Sequence, residues 1–223
     1  MSRHLFVAGT DTGIGKTHGA QALIHALRRN GGRVAGMKPV ASGSEATADG
    51  LRNDDALALQ AASAPRPPYE RVNPIALAEA VAPHLAAARA GVAIDWPPLD
   101  AAFDRLRQDY DRVVVEGVGG WLVPLGGNLS AEQIPARWGL DVVLVVGMRL
   151  GCISHARLTA RAIEADGCRF AGWIANVVDP SMPLLDENIA TLRACLSAPC
   201  LGVLPHGVTP ADAAGVLDVG ALD

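Results

Sequence analysis

Short runs of apolar residues alternate along the chain with segments in which apolar residues recur every three or four positions. The run at 5–8 is followed by a glycine-rich segment and then by a predicted helix at 17–29, whose apolar residues share one face. Further strands are predicted at 33–37, 112–115, 141–146, 170–177 and 200–204. Further helices are predicted at 54–62, 83–90, 99–108, 154–165 and 184–196.

Continuously apolar strands that alternate with helices indicate an α/β fold, with a mostly parallel sheet and helices on both faces. Ligands of such sheets bind at the carboxyl ends of the strands, so the polar and glycine-rich residues after each strand should converge there. The polar stretch 38–53 is expected to be a functional loop that contributes nothing to the core. Because no repeat or linker is visible, we predict a single domain over 1–223.

The segment after the first strand has the composition of a phosphate-binding loop. It is Gly-Thr-Asp-Thr-Gly-Ile-Gly-Lys-Thr at 9–17, in which Thr10 occupies the place of the usual first glycine. Backbone N–H groups at the start of a helix bind phosphate, Lys16 reaches the β- and γ-phosphates, and the Thr17 hydroxyl coordinates Mg²⁺. A merely tight turn would leave Lys16 without a role. We therefore predict a P-loop NTPase fold whose nucleotide takes part in an enzymatic reaction.

Several other residues at the ends of predicted elements have two interpretations each. Glu116 follows a strand, and either faces the phosphates or lies in solvent. Glycines directly after it suggest backbone that passes close to a ligand. Asp54 and Asp55 open a helix, where an aspartate is either a metal ligand or an N-cap.

The interpretation of three more positions also stays open. Lys38 is either a site residue or a solvated surface lysine, and Asn176 either bonds an adenine edge or caps a turn. The helix start at 151–154 either binds a carboxylate through its amides or is capped by Ser154.

Composition excludes several other classes of function. A net charge of −4 argues against a nucleic-acid partner, which usually meets a basic face. No apolar stretch approaches the roughly 20 residues of a membrane span, and the first apolar run is too short for a signal peptide. The four cysteines show no metal-ligand spacing, which favours thiols in a reducing compartment. We expect a cytoplasmic protein with no membrane partner.

Segments over nearly the whole chain match a known family in the same order. They are Gly-Thr-Asp-Thr and Gly-Lys-Thr within 9–17, Lys-Pro-Val-Ala-Ser-Gly at 38–43, Leu-Arg-Asn-Asp-Asp-Ala-Leu at 51–57, Val-Asn-Pro at 72–74, Glu-Gly-Val-Gly-Gly at 116–120, Leu-Gly-Cys-Ile-Ser-His at 150–155 and Ala-Gly-Trp-Ile-Ala-Asn at 171–176. With these segments the chain resembles the dethiobiotin synthetases, ATP-dependent carboxylases of biotin synthesis. The resemblance implies that 7,8-diaminononanoate, CO₂ and ATP give dethiobiotin, ADP and phosphate.

The resemblance also implies residue roles. Lys16 and Lys38 supply catalytic cations, and Thr17, Asp55 and Glu116 hold Mg²⁺. The implied nucleotide contacts are Gly13, Ile14, Gly15, Lys16, Thr17, His18, Asp55, Glu116, Gly117, Val118, Gly119, Asn176, Val177, Pro205, His206, Gly207 and Asp212. The implied substrate contacts are Thr12, Ser42, Leu150, Gly151, Cys152 and Ser154, of which those at 150–154 come from the neighbouring subunit of a homodimer.

Three positions depart from the family pattern. Gly13 stands where an acidic residue is frequent, Ser154 where asparagine is common, and Asn188 where a tyrosine can approach the substrate's tail. Two other classes of protein fit the sequence less well. An amidotransferase-type synthetase needs a glutaminase domain, for which we expect no room, and partitioning ATPases carry an additional lysine where Asp11 stands.

Overall fold

Six parallel strands form the centre of the fold in the computed structural model, which describes residues 4–29 and 31–222. Within those residues the strands are β1 (Leu5–Gly9), β2 (Val34–Met37), β3 (Val40–Ala41), β4 (Glu45–Thr47), β5 (Gly50–Arg52), β6 (Ile75–Ala76), β7 (Arg112–Glu116), β8 (Pro124–Gly126), β9 (Leu129–Ser130), β10 (Asp141–Gly147), β11 (Phe170–Asn176) and β12 (Cys200–Leu204). The helices are α1 (Lys16–Arg28), α2 (Asp54–Ala62), α3 (Tyr69–Val72), α4 (Pro83–Ala90), α5 (Trp96–Asp109), α6 (Gln133–Trp138), α7 (Cys152–Ala165), α8 (Leu185–Cys195) and α9 (Pro210–Ala213), with single 3₁₀ turns at Ala214–Val216 and Gly220–Leu222.

The central sheet has the order β12-β11-β10-β1-β7-β2, and each neighbouring pair is parallel. Side chains alternate across it. Leu5 and Val7 belong to one apolar core, and Phe6 and Ala8 belong to the other. A strand that is buried on both faces must be apolar at every position, which is why β1 reads as a continuous apolar run. The predicted parallel α/β architecture is confirmed.

Helix α2 packs unusually close to β2, and this brings its first turn to the sheet's carboxyl edge. Gly36 makes the approach possible, since a Cβ there would lie 2.8 Å from the Cβ of Leu59. The backbone N–H of Gly36 donates to the hydroxyl of Ser63 at the end of α2, at 2.9 Å. The contact therefore holds the helix against the strand that precedes Lys38.

The prediction that 38–53 forms a loop without core residues was wrong. Val40 and Ala41 form β3, which pairs with β6, and β4 and β5 form an antiparallel hairpin. Lys38, Val40, Ala41 and Ser44 are buried. The segment 75–77 satisfies the backbone of this stretch, because Leu77 donates to the carbonyl of Ala41 at 2.8 Å and accepts from the N–H of Ser44 at 2.9 Å. A segment of small residues can enter the interior once its backbone groups are paired.

The starts of two helices decide between interpretations that the sequence left open. The N-cap of α2 is Asn53, whose side chain accepts from the N–H of Ala56 at 3.2 Å, so neither aspartate caps the helix. Helix α7 begins at Cys152 after Gly151 in a left-handed conformation, and Ser154 lies inside the helix instead of capping it. Short elements such as α3, α6 and β8 were missed because three to six residues are too few to show a period.

None of the helices within 4–29 and 31–222 is both long enough and apolar enough to cross a membrane.

His4, just before β1, bonds to β7 in its neutral form, which makes the free energy of unfolding depend on pH. Its Nδ1 accepts from the N–H of Val113 at 3.1 Å. Burial, together with the charges of Arg107 and Arg112, holds the pKa of His4 below its ordinary value of 6.5. As pH falls below 6.5, the unfolded state therefore takes up this proton first, and the free energy of unfolding decreases.

The His4→Asn variant keeps an acceptor for Val113 but does not titrate. Between about pH 7.5 and about pH 5.5, its melting temperature should fall less steeply than that of the unaltered chain. Other histidines with a lowered pKa are present in both proteins and cancel in the difference. An equal fall in melting temperature for both proteins over this pH range would show that His4 contributes nothing to the pH dependence.

Candidate active site

The turn between β1 and α1 is held in one conformation by a residue from a distant strand. Gly15 has a φ of 83°, and a Cβ there would lie 2.1 Å from Nδ2 of Asn176. That Nδ2 donates to the carbonyl of Ile14 at 2.8 Å. Asn176 therefore ties the glycine-rich turn to the end of β11, and this turn presents the amides that precede α1 as an anion site.

Lys16, the first residue of α1, is buried over the same turn. Its Nζ donates to the carbonyl of Asp11 at 2.8 Å. Burial and then the nearby charge of Lys38 lower the pKa of Lys16 to about 8, against the opposing effect of the carboxylates. An anion that entered the turn would meet this ammonium directly.

Lys38 and Glu116 emerge side by side from neighbouring strands. The register pairs Met37 with Val115, so the next residue of each strand lies at the same level of the sheet. Nζ of Lys38 donates to Oε1 of Glu116 at 2.6 Å and to the carbonyl of Gly117 at 3.2 Å. Lys38 is 4% exposed and Glu116 is 1% exposed. Two charges this deep are tolerated only because they are paired.

Asp55 completes the group from the first turn of α2. Its Oδ2 accepts from Nζ of Lys38 at 3.1 Å. Burial alone would lower the pKa of Lys38, but its ion pairs with Glu116 and Asp55 prevail and raise it. Burial alone would raise the pKa of Asp55, but Lys38 and the hydroxyl of Thr17 prevail and lower it. Both side chains are therefore charged.

The same residues fit a Mg²⁺ ion. The Thr17 hydroxyl donates to Oε1 of Glu116 at 2.9 Å, and Oε2 of Glu116 is buried without a hydrogen-bond partner. A buried carboxylate oxygen without a donor is suited to a cation. Within the described ranges, no three His, Cys, Asp or Glu side chains gather into a metal cage of their own. That donor set matches Mg²⁺, which usually takes one or two carboxylates and completes its shell with water and phosphate oxygens.

These side chains line one cleft of about 810 Å³ at the carboxyl edge of the sheet. The predicted site residues on its wall are Thr12, Gly13, Gly15, Lys16, Thr17, Lys38, Ser42, Asp55, Glu116, Val118 and Gly119. The wall also includes Ala80–Pro83 and Val123, which sequence reasoning missed. They are small or apolar, and nothing in their chemistry marks them as site residues.

Other predicted residues lie at the same edge but outside this cleft. His206 approaches the carbonyl of Val177 at 3.2 Å in the turn after β12, beside Pro205 and Gly207. Asp212 accepts from the hydroxyl of Thr209, the N-cap of α9, at 2.7 Å. His18 lies in the first turn of α1.

The segment 150–154 lies elsewhere at the carboxyl edge, after β10. Leu150 is 96% exposed, and Gly151 and Ser154 are exposed at the start of α7, while Cys152 is buried. None of these residues lines the cleft. The segment therefore lies beside the glycine-rich turn, since Arg149 just before it is ion-paired with Asp11, but it forms no part of the cleft wall.

The small number of lysines in the chain also points to this cleft. The chain has 19 lysines and arginines, of which only Lys16 and Lys38 are lysines, and both are buried at this cleft. Lysine is almost never fully buried unless it is paired. Two lysines that each follow a strand end are thus a stronger indication of a site than either one alone.

Comparisons with known proteins agree with this geometry. Residues 3–209 match a family model described as an AAA domain. The chain is 57% identical over 200 residues to the ATP-dependent dethiobiotin synthetase BioD of Xanthomonas oryzae pv. oryzae (strain PXO99A), which covers 90% of this chain and 89% of that protein. It is 54% identical over 215 residues to the protein of the same name from Xylella fastidiosa (strain 9a5c), with 95% of each chain covered.

Solved structures share the fold at low sequence identity. A chain of the MinC:MinD cell division protein complex of Aquifex aeolicus superposes with a TM-score of 0.55 at 17% identity, over 95% of this chain and 85% of that one. A ParA family ATPase from Chlorobium tepidum TLS gives 0.54 at 12% identity, over 92% of this chain and 85% of that one. These similarities confirm the P-loop NTPase fold, and at such low sequence identity they show the fold alone. By its similarity to the curated relatives over nine-tenths of their length, the chain belongs to the ATP-dependent dethiobiotin synthetase family.

Proposed function

We propose that the chain carboxylates 7,8-diaminononanoate and closes its ring with CO₂ and ATP, yielding dethiobiotin, ADP and phosphate. The observation that supports this most strongly is the convergence of two buried lysines, Lys16 and Lys38, with the carboxylates of Asp55 and Glu116 on one cleft. A reaction between a carbamate and a triphosphate brings anions together, and positioned cations are what such chemistry requires.

The proposed reaction has three bond-forming steps. One amine nitrogen of the substrate bonds to the carbon of CO₂ and loses a proton, which gives a carbamate. A carbamate oxygen attacks the γ-phosphorus of ATP, the bond to the β–γ bridging oxygen breaks, and ADP leaves. The second amine attacks the carbamate carbon, loses a proton and expels phosphate, which closes the cyclic urea.

In this reaction the two lysines act as fixed cations. Lys38 donates to two carboxylates and is held as an ammonium, so we assign it the stabilisation of charge on the transferring phosphoryl group. Lys16 exchanges its bond to the carbonyl of Asp11 for the β- and γ-phosphate oxygens. Thr12 and Ser42, on the wall of the same cleft, contact the diamine.

Thr17, Asp55 and Glu116 are the residues that would hold Mg²⁺. When bound, the ion neutralises charge on the phosphate oxygens. For the base of the nucleotide, we assign the turn after β12 and Asn176, which keeps its Nδ2 bond to Ile14 while Oδ1 accepts from the adenine amine.

We further propose a homodimer in which the start of α7 serves the neighbouring subunit's site. The amides of 151–154 and the positive end of a 14-residue helix favour the substrate's carboxylate. Leu158 on α7 and Leu150 just before the helix are 62% and 96% exposed, and an interface would bury them. With this arrangement we propose one domain over 1–223, acting in the cytoplasm without a nucleic-acid partner.

The reaction is tested by identifying its product. Incubation with 7,8-diaminononanoate, bicarbonate, Mg²⁺ and ATP should yield dethiobiotin and ADP in equal amounts, measured by mass spectrometry and nucleotide analysis. Lys38→Ala should lower turnover by about 10²–10³-fold, the usual cost of one lost contact to developing charge. Arg89→Ala, which removes an exposed cation paired with Glu79, is the control and should leave turnover unchanged. ATP hydrolysis that ignores the diamine and forms no cyclic urea would refute the proposal.

The assignment of Asp55 to the metal is tested against its neighbour. Asp54 is exposed, whereas Asp55 contacts Lys38 within the cleft. Asp55→Asn should raise the Mg²⁺ concentration required for half-maximal turnover, and Asp54→Asn should leave it near the original value. A larger change in the Asp54 variant would reverse the assignment.

Subunit sharing is tested by complementation. Lys16→Ala disables the phosphate half of a site, and Ser154→Asp repels the substrate's carboxylate from the other half. An aspartate in the first turn of α7 favours the helix, so the second variant should fold. If subunits exchange freely, the mixture should recover about a quarter of full activity, because half the dimers carry one intact site of two. Heterodimers without activity would contradict the shared site.

A further inference from the structure

A buried chain of hydrogen bonds lies behind the cleft and links its two sides. Its members are Asn53, Tyr69 and Asn73, which are 7%, 8% and 4% exposed. The backbone N–H of Asn53 donates to the hydroxyl of Tyr69 at 2.8 Å, and that hydroxyl donates to Oδ1 of Asn73 at 3.0 Å. The hydroxyl of Tyr69 thus accepts one hydrogen bond and donates another, and in this way it links Asn53 to Asn73.

The Asn73 end of the chain fixes the peptide of Lys38. Nδ2 of Asn73 donates to the carbonyl of Lys38 at 2.7 Å and to the carbonyl of Ile75 at 3.1 Å. The N–H of Lys38 donates to the carbonyl of Val72 at 2.7 Å. Both polar groups of the Lys38 backbone are therefore held by the segment 72–73, and the position of that segment determines where the side chain begins.

The Asn53 end of the chain fixes Asp55. As the N-cap of α2, Asn53 sets where the helix starts, and Asp55 is the second residue of that helix. The side-chain Nδ2 of Asn53 also donates to the carbonyl of Ser42 at 3.3 Å, on the wall of the cleft. Asn53 thus positions both the carboxylate of Asp55 and the backbone of Ser42 at the same cleft.

We propose that Tyr69 is a positioning residue for the reaction, whose hydroxyl couples the peptide of Lys38 to the first turn of α2 and so sets the distance between the Lys38 ammonium and Asp55. The proposal rests on the roles assigned above to Lys38 and Asp55. Tyr69 itself does not line the cleft, so it acts through these two residues and not on the substrate.

The hydrogen-bonded connection from Asn53 to Asn73 passes through a single oxygen atom, the hydroxyl of Tyr69. Loss of the hydroxyl leaves the N–H of Asn53 and Oδ1 of Asn73 buried without their partner, and each must move to find another. A displacement of about 1 Å of a catalytic group costs up to about 10²-fold in rate. The guanidinium of Arg52, 4.2 Å from the centre of the Tyr69 ring, can stay in place over a phenylalanine.

The chain provides a matched control for this test. Its second tyrosine, Tyr110, is 7% exposed and donates to the carbonyl of Pro65 at 2.7 Å, away from the cleft. Tyr69→Phe and Tyr110→Phe therefore each remove one hydroxyl from an equally buried ring. Both should lower the melting temperature slightly, but only Tyr69→Phe should lower kcat, by about 10-fold to 10²-fold. The KM for ATP should change less than kcat, since the P-loop, which holds the phosphates, is untouched.

A spectroscopic measurement separates positioning from general loss of stability. Because the chain contains two lysines, labelling with ¹³C at the lysine ε-carbon gives two lysine signals in an NMR spectrum. The Lys38 signal should shift in Tyr69→Phe, whereas the Lys16 signal should not, and both should keep their positions in Tyr110→Phe. Assignment uses Lys38→Arg and Lys16→Arg.

Asn73→Ala tests the other half of the chain without altering the tyrosine. It should lower kcat as well, and Tyr69→Phe added to it should cost little more, because both changes break the same connection. Unchanged kcat in Tyr69→Phe, equal losses in both tyrosine variants, or an unmoved Lys38 signal would overturn the proposal. If Lys38→Ala abolishes dethiobiotin formation while Tyr69→Phe does not affect it, the proposed function stands and the positioning role falls.

Discussion

The ion pair between Lys38 and Glu116 is the interaction on which the rest of the site depends. Both side chains are almost entirely withdrawn from water, and their atoms approach to 2.6 Å. Removal of one partner from such a buried pair typically costs about 3–5 kcal/mol, because the other charge is left without compensation. The adjacency of β2 and β7, the register that brings Met37 opposite Val115, and the closeness of α2 to β2 all serve to keep the two charges together.

The site is thus built at the strand ends, and four of the six strands supply a part of it. The end of β1 leads into the glycine-rich turn, β2 and β7 supply the paired charges, and β11 supplies Asn176, which fastens the turn. Helix α2 adds Asp55 from outside the sheet. Because a parallel sheet brings all these ends to one edge, residues from five separate parts of the chain act at one place.

Local patterns were enough to predict the long elements and the phosphate-binding turn, but not the identity of several contacts. The sequence left Lys38 open between a surface position and a site position, and only the neighbouring strand decides between them. It left Asp54 and Asp55 open between metal ligand and N-cap, whereas Asn53 caps α2 and Asp55 faces the lysine. Tyr69 carried no signal, and Asn73 entered only as part of the matched segment Val-Asn-Pro at 72–74, because the role of both residues lies in the groups they hold in place.

By itself, then, the sequence determined the α/β class, the nucleotide-binding turn and the family. These follow from glycine spacing, apolar periodicity and ordered motifs, which are properties of neighbouring residues. The tertiary structure alone decided which acids meet which lysine, and that the polar stretch after β2 enters the core. The physical reason is distance along the chain. Lys38 and Glu116 are 78 residues apart, and strand order and register, which no local pattern encodes, bring them into contact.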